Sequence, residues 1–442
     1  MVSTVAFLSF AAKPDSGDTA WVLASAALVL LMTPGLAFFY GGMVRGKNVL
    51  NMLMMNFITM GLVGVLWVLV GYTLAFGDGG SIIGDFKHWK LDHTVGLWPG
   101  YGIPVLVFVM FQAMFAIITP ALWTGSIADR LKFGPFIAIV VLWSLLVYSP
   151  VAHWVWASNG WLFKLGAEDF AGGTVVHANA GAAGLALAIV LGKRKNWPKE
   201  PMRPHNIPFV LLGAGLLWFG WFGFNAGSAL GANGTAALAF TTTSTATSAA
   251  MLGWVLVEKI RDGHPTTLGA ASGAVAGLVA VTPACGFISP LGSIVLGLVA
   301  GAVCAMATAL KFRFGYDDAL DVVGVHLVGG VLGALLIGFL GSHKANSAYP
   351  DGLLYGGGFS LLGKQAEAVG ATVAYSFVMT LIIAYVVKFV FKGLRVDEET
   401  EVEGLDINIH AETAYEALTG GSSLRSSSTT GSSPKADAEV PA

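Results

Sequence analysis

The chain has 442 residues, of which 55% are hydrophobic and only 11% charged, against roughly 25% charged residues in an average soluble domain. A deficit of this size over this length excludes an ordinary soluble protein and points to a polytopic membrane protein. The formal net charge is −2, and no basic block is present to grip phosphates, which argues against nucleic acid as a partner.

Taken in order, the first dozen residues, "MVSTVAFLSFAA", lack the basic n-region of a secretory leader, which disfavours a cleaved signal. Residues 1–18 therefore read as an extracellular N-terminal segment. Eleven apolar runs follow, at about 19–41, 49–76, 102–124, 133–151, 172–192, 207–227, 236–257, 267–284, 290–310, 322–341 and 368–391. Each approaches the ~20 residues needed to span a bilayer, and the eighth, Gly-rich, is the weakest. These runs hold no Asp, Glu or Arg, and Lys only at 388. The two cysteines, Cys285 and Cys304, both fall in apolar stretches, so no disulfide framework is expected.

Orientation follows from Lys and Arg in alternate loops. One set of loops, with the end of the last run and the segment after it, holds 16 of the 24 such residues, 6 lie in the opposite set, and Arg425 and Lys435 sit in the far tail. The expected fold class is thus an all-α polytopic membrane protein. Its eleven transmembrane helices have the N-terminus outside and the C-terminus cytoplasmic. Residues 19–392 form the transmembrane domain. Residues 393–418 are acidic with some apolar periodicity, and read as a cytoplasmic regulatory region. Residues 419–442, rich in Ser, Gly, Thr and Pro, read as disordered.

The fifth and tenth runs share a pattern. "GGTVVHANAGAAGLALAIVLG" contains His177 and "DVVGVHLVGGVLGALLIGFLG" contains His326. Glycine follows each histidine by four residues (Gly181, Gly330), by seven (Gly184, Gly333) and by fifteen (Gly192, Gly341). Offsets of four and seven share a helical face, where small residues let helices approach closely in lipid. Two matching segments of opposite direction, five runs apart, predict an inverted repeat of five helices plus an extra eleventh, with a site near the midplane. A rise of ~1.5 Å per residue from Asp169 and from Asp321 leaves the two histidines roughly 10 Å apart across a core ~30 Å thick. They meet only if both helix ends are recessed.

An ionisable side chain inside a span is a functional hypothesis, and a neutral imidazole can both donate and accept. No mid-span carboxylate is there to hold Na⁺ and no arginine to bind an anion. The substrate should therefore be small, and neutral or cationic. Aromatics gather in "FQAMF" (Phe111, Phe115), "HWVW" (Trp154, Trp156) and "WFGWFGFNAGS" (Trp218, Trp221, Phe224, Ser228), and aromatic faces attract cations. Two histidines without a nearby thiol or carboxylate make a poor metal site. No nucleophile, cofactor or phosphate motif appears in the soluble ends, so no enzyme is expected.

Four stretches, "DTAWVLASAALVLLMTPGLAFFYGGMVR", "DFAGGTVVHANAGAAGL", "WFGFNAGSAL" and "DDALDVVGVHLVGG", resemble those of the Amt/Mep/Rh ammonium transporters, on the Amt/Mep side. The resemblance runs from about residue 18 to 418. It implies ammonium transport across the cell membrane by a homotrimer with one narrow hydrophobic pore per subunit. NH₄⁺ would be recruited by Trp156, Phe115 and Ser228, with Phe111 in an accessory place. Phe115 and Phe224 would close the pore, and NH₃ would pass the twin histidines His177 and His326. Asp169 would support the site structurally. The resemblance also implies that the C-terminal region packs on a neighbouring subunit and that a PII-type signalling protein binds the cytoplasmic face. An ammonium sensor with little flux and an Rh-type gas channel remain as alternatives.

Overall fold

The computed structural model describes residues 13–200 and 202–415. The expected disordered tail 419–442 and most of the N-terminal segment 1–18 lie outside them. Among the described residues the regular structure is helical, with three isolated bridge pairs and no strand. In hydrocarbon each helix satisfies its own backbone groups, which is why apolar runs of this length fold this way.

Each apolar window contains helix. Nine helices among the described residues are long and apolar enough to cross a membrane: Ser16–Met43, Val49–Phe76, Val105–Ile127, Phe133–Leu165, Gly173–Leu191, Ile207–Gly227, Pro290–Phe314, Val323–Leu340 and Ser360–Val390. The other two windows differ for visible reasons. The helix Gly234–Asp262 carries a run of hydroxyl residues. Thr241, Thr243 and Ser248 turn their hydroxyls back onto the carbonyls of Ala237, Ala239 and Ser244. Thr267–Val281 has only 15 residues, about 22 Å of rise. Its start is fixed by Thr266, whose hydroxyl accepts the Gly269 N–H, while Glu258 accepts the Thr266 N–H.

The two histidine helices are built alike. Each opens with a π-helical turn, Gly173–Ala178 and Val323–Leu327, and continues as a 13-residue α-helix, Asn179–Leu191 and Val328–Leu340. A π turn inside an α-helix is rare and is common at functional sites.

Where the first histidine helix ends and the second begins, buried charges pair. Arg194 lies 2.9 Å from Asp317 and 3.5 Å from Asp129, and Arg45 reaches Asp129 at 3.3 Å. Arg130, fully buried, donates to the carbonyls of Ser126 and Asp317. Burial alone would raise the Asp317 carboxyl, but hydrogen bonds and charge from Arg194, with Arg130 behind, hold it below the ordinary aspartate range.

The C-terminal region sits on this network. Lys132 N–H donates to Leu394 O at 2.8 Å and Val396 N–H to Arg130 O at 3.0 Å. Asp406 accepts the N–H groups of Leu50 and Asn51 at 3.0 and 2.8 Å, capping the helix that begins at Val49.

Candidate functional site

The aromatic residues singled out in the sequence converge. Phe111 and Phe115 lie one turn apart on Val105–Ile127, with ring centroids 4.9 Å apart and edge to face. Trp156, the last residue of Ser149–Trp156, meets Phe115 edge-on at 5.8 Å and 89°. Phe224, near the end of Ile207–Gly227, lies 4.2 Å from Phe115 at 31°. Phe111, Phe115 and Phe224 are fully buried. Above them opens a cavity of about 640 Å³, whose walls include Phe111, Phe115, Trp156 and Ser228. Ser228 donates its hydroxyl proton to Phe224 O at 2.8 Å, so its oxygen lone pairs stay free to accept. Trp154 takes a different role, its indole N–H bonding Ile82 O and its ring packing on Tyr375.

Asp169 holds the vestibule and the first histidine helix together. Its carboxylate accepts four backbone N–H groups, from Gly172, Gly173, Thr174 and Val175, at 2.7–3.0 Å. These are the donors a helix start leaves without partners, and an anion there also suits the helix dipole. The Asp169 carbonyl accepts the Trp156 indole N–H at 2.9 Å, which fixes the face that Trp156 shows to the cavity.

Below the phenylalanines, His177 stacks on Trp221 with centroids 5.3 Å apart at 19°, and tilts against Phe224 at 6.0 Å. His177 Nδ1 and His326 Nδ1 are 3.2 Å apart. The 10 Å gap drawn from helix rise does not exist. Asp169 and Asp318, which cap the two helix starts, are themselves buried, so both starts lie well below the surface. On the far side, His326 Nε2 lies 3.4 Å from the Tyr40 hydroxyl. A small cavity of about 50 Å³ follows, lined among others by Tyr40, Ser272, Asp321 and His326.

The matched glycines make this approach possible. A Cβ on Gly330 would sit 2.7 Å from Gly173 O, 2.8 Å from Ala178 N and 3.0 Å from His177 Cβ. Gly181 stands reciprocally against the backbone of Leu327, next to His326. The second pair faces other helices: Gly184 meets Ser126, and Gly333 meets Ala280.

Two residues escaped the sequence reading, and a third was noted there without its partner. Asp318, 1% exposed, accepts the Val323 N–H at 2.7 Å and the Ser126 hydroxyl at 2.8 Å. It lies eight residues before His326, as Asp169 lies eight before His177, so Asp318 and not Asp321 is the counterpart of Asp169. The shared spacing was the signal available. Tyr40 gave no signal, because a tyrosine in an apolar helix looks like packing; Trp221 was noted among the aromatics of its helix, but nothing there paired it with His177.

A helical chain with this apolar profile is a multi-pass membrane protein. Its vestibule, paired rings and buried imidazoles form one line through the interior, the layout of a conduit for a small molecule. The chain belongs to the Ammonium Transporter Family, whose model matches residues 20–415. It is 55% identical to an ammonium transporter of Mycobacterium tuberculosis, over 93% of each chain. It is 51% identical to one of Bacillus subtilis, over 90% of this chain and 98% of that one. Among solved structures it resembles Candida albicans Mep2, with a TM-score of 0.83 at 32% identity over 88% of each chain. It also resembles a protein described as a sensor Amt protein, with a TM-score of 0.82 at 29% identity over 89% of this chain and 98% of that one.

Proposed function

We propose that this protein carries ammonium inward across the cell membrane along the line of residues just described. NH₄⁺ binds outside at Trp156, Phe115 and Ser228, with Phe111 behind them. Each cation–π contact contributes roughly 0.5–2 kcal/mol, more as water is excluded, and the Ser228 oxygen accepts an N–H. A bare ion in the apolar passage beyond is costly. Ammonium therefore gives up a proton to water of the vestibule at the Phe115–Phe224 pair, and NH₃ passes His177 and His326. Whether that proton also crosses decides if the net step is electrogenic.

The observation that carries the reading is the pair of imidazoles in contact at 3.2 Å, buried directly beneath rings that open on a vestibule. No chemical conversion is part of it. The test is methylammonium uptake in a strain lacking its own ammonium transporters. Wild-type uptake that survives unchanged in His177→Ala with His326→Ala, at equal expression, contradicts the histidine path.

The wider reading has eleven crossings, the N-terminus outside and the C-terminal region 393–418 in the cytoplasm. It treats the two halves as an inverted repeat, supported by the two π-opened helices and their reciprocal glycines. The working unit is a homotrimer, and a PII-type protein engages the face that carries residues 393–415. Cysteine accessibility from each side of the membrane tests the orientation, and the mass of the detergent-purified particle tests the trimer. A sensor with little flux is the second reading, favoured by the likeness to the sensor Amt structure. Absence of uptake together with ammonium-dependent binding of a partner would select it.

A further inference from the structure

We propose that Tyr40 is a positioning residue that sets the proton polarity of the histidine pair. It holds His326 with its proton on Nε2 and so leaves His177 Nε2 as a bare acceptor on the side of the phenylalanine rings. The inference rests on the pore reading above and specifies how its central site is prepared.

Tyr40 lies on Ser16–Met43 and is 1% exposed. Its hydroxyl has one proton to give and lone pairs to accept with. Two groups compete for that proton. Leu122 O lies 2.9 Å away, and His326 Nε2 lies 3.4 Å away. The shorter bond, to a carbonyl that can only accept, takes the proton, since hydrogen bonds weaken with length. Toward His326 the Tyr40 oxygen is then an acceptor, so His326 Nε2 carries a hydrogen.

A neutral imidazole has one N–H, which makes His326 Nδ1 an acceptor. Its partner at 3.2 Å is His177 Nδ1, which must donate. His177 Nε2 is therefore a lone pair. That atom is buried with no hydrogen-bond partner among the described residues. The donors run one way, from His177 through His326 and Tyr40 to Leu122 O.

The reverse order is worse at the Tyr40 end, where it moves the proton from the shorter contact, 2.9 Å to Leu122 O, to the longer one, 3.4 Å to His326 Nε2. The chosen order has a chemical consequence. Ammonia arriving past Phe115 and Phe224 meets a lone pair, which accepts one of its N–H groups, rather than an N–H, which would instead bind its nitrogen lone pair.

The test is solid-state nitrogen NMR of histidine-labelled, full-length protein in lipid bilayers at neutral pH. The two signals sets are assigned by their loss in His177→Asn and in His326→Asn. The expected result is His177 protonated on Nδ1 and bare on Nε2, with His326 the other way round. Tyr40→Phe should weaken this preference by about five- to tenfold, the worth of one hydrogen bond, so that both tautomers become visible in each ring. His177 protonated on Nε2 in the wild type overturns the proposal, as does a Tyr40→Phe spectrum with unchanged tautomers. If Tyr40→Phe fails to fold, the wild-type spectrum still decides. Methylammonium uptake measured on the same wild-type preparation keeps the two ideas apart. Absent uptake sinks the transport reading, whereas a wrong tautomer sinks only this one.

Discussion

Replacing Gly330 by alanine tests whether helix proximity makes the site. The new Cβ would meet Gly173 O at 2.7 Å, Ala178 N at 2.8 Å and His177 Cβ at 3.0 Å. Two of these are backbone atoms of the His177 helix, which cannot swing aside. Restoring ordinary contact requires the helices to part by ~0.5–1 Å. Overpacking of this kind costs about 1–3 kcal/mol. Alanine in place of glycine inside a helix returns about 1 kcal/mol, so the net loss of stability is small, roughly 0–2 kcal/mol. Function should suffer more. Parting the helices along the histidine contact stretches 3.2 Å beyond hydrogen-bonding range. Misplacements of ~1 Å at reacting groups cost up to about a hundredfold. The expected outcome is a melting temperature within a few degrees of wild type and methylammonium uptake down at least about tenfold. Gly370→Ala, where a Cβ meets nothing within 4 Å, is the control and should transport normally. Uptake by Gly330→Ala within twofold of the control, at equal expression, would refute the argument that these glycines set the histidine spacing.

Other outcomes follow from the same geometry. Asp169→Ala strands four buried N–H groups at about 1–3 kcal/mol each, so a protein that melts far lower and lacks uptake is expected. Asp169→Asn keeps one acceptor oxygen and should fall between the two by thermal denaturation. Phe115→Ala removes one of two rings 4.2 Å apart and should raise water permeability of proteoliposomes while lowering discrimination against K⁺; stopped-flow shrinkage and ion-competition assays report on it. Arg194→Ala leaves Asp317 without the cation 2.9 Å from it, while Asp129 keeps Arg45, and should cost about 3–5 kcal/mol, as breaking a buried pair does; the melting temperature measures it.

The sequence made much of this legible because membrane spans are written in composition. Length and apolarity placed the helices, and a titratable ring in an apolar run marked His177 and His326. The glycines at an offset of four marked where the two helices meet, whereas those at seven pack on other helices. Other features depend on the third dimension. Helix-rise arithmetic assumed that each histidine helix begins at the surface, whereas Asp169 and Asp318 cap starts buried within the bundle. Asp321 looked like the natural boundary of the tenth run because it is the last charge before it. Its neighbour Asp318 takes the capping role because the π turn begins only at Val323. Tyr40 and Trp221 could not be told from packing residues, since what distinguishes them is a partner 286 residues away in one case and a stacked imidazole in the other. The charges around Arg130 and Arg194 entered the sequence reading only as loop charges that set the orientation. Folding buries it and sets the C-terminal region on top.

The central claim is that ammonium leaves the vestibule through the paired imidazoles. Its most direct test is flux in proteoliposomes containing equal amounts of wild-type protein or of the His177→Ala, His326→Ala double variant. Labelled methylammonium influx and net charge movement are recorded together, with K⁺ as competitor. The account predicts saturable, K⁺-insensitive influx in the wild type. In the double variant it predicts influx that is lost, or that persists only with K⁺ competing. Influx of equal rate and equal discrimination in both proteins would contradict it.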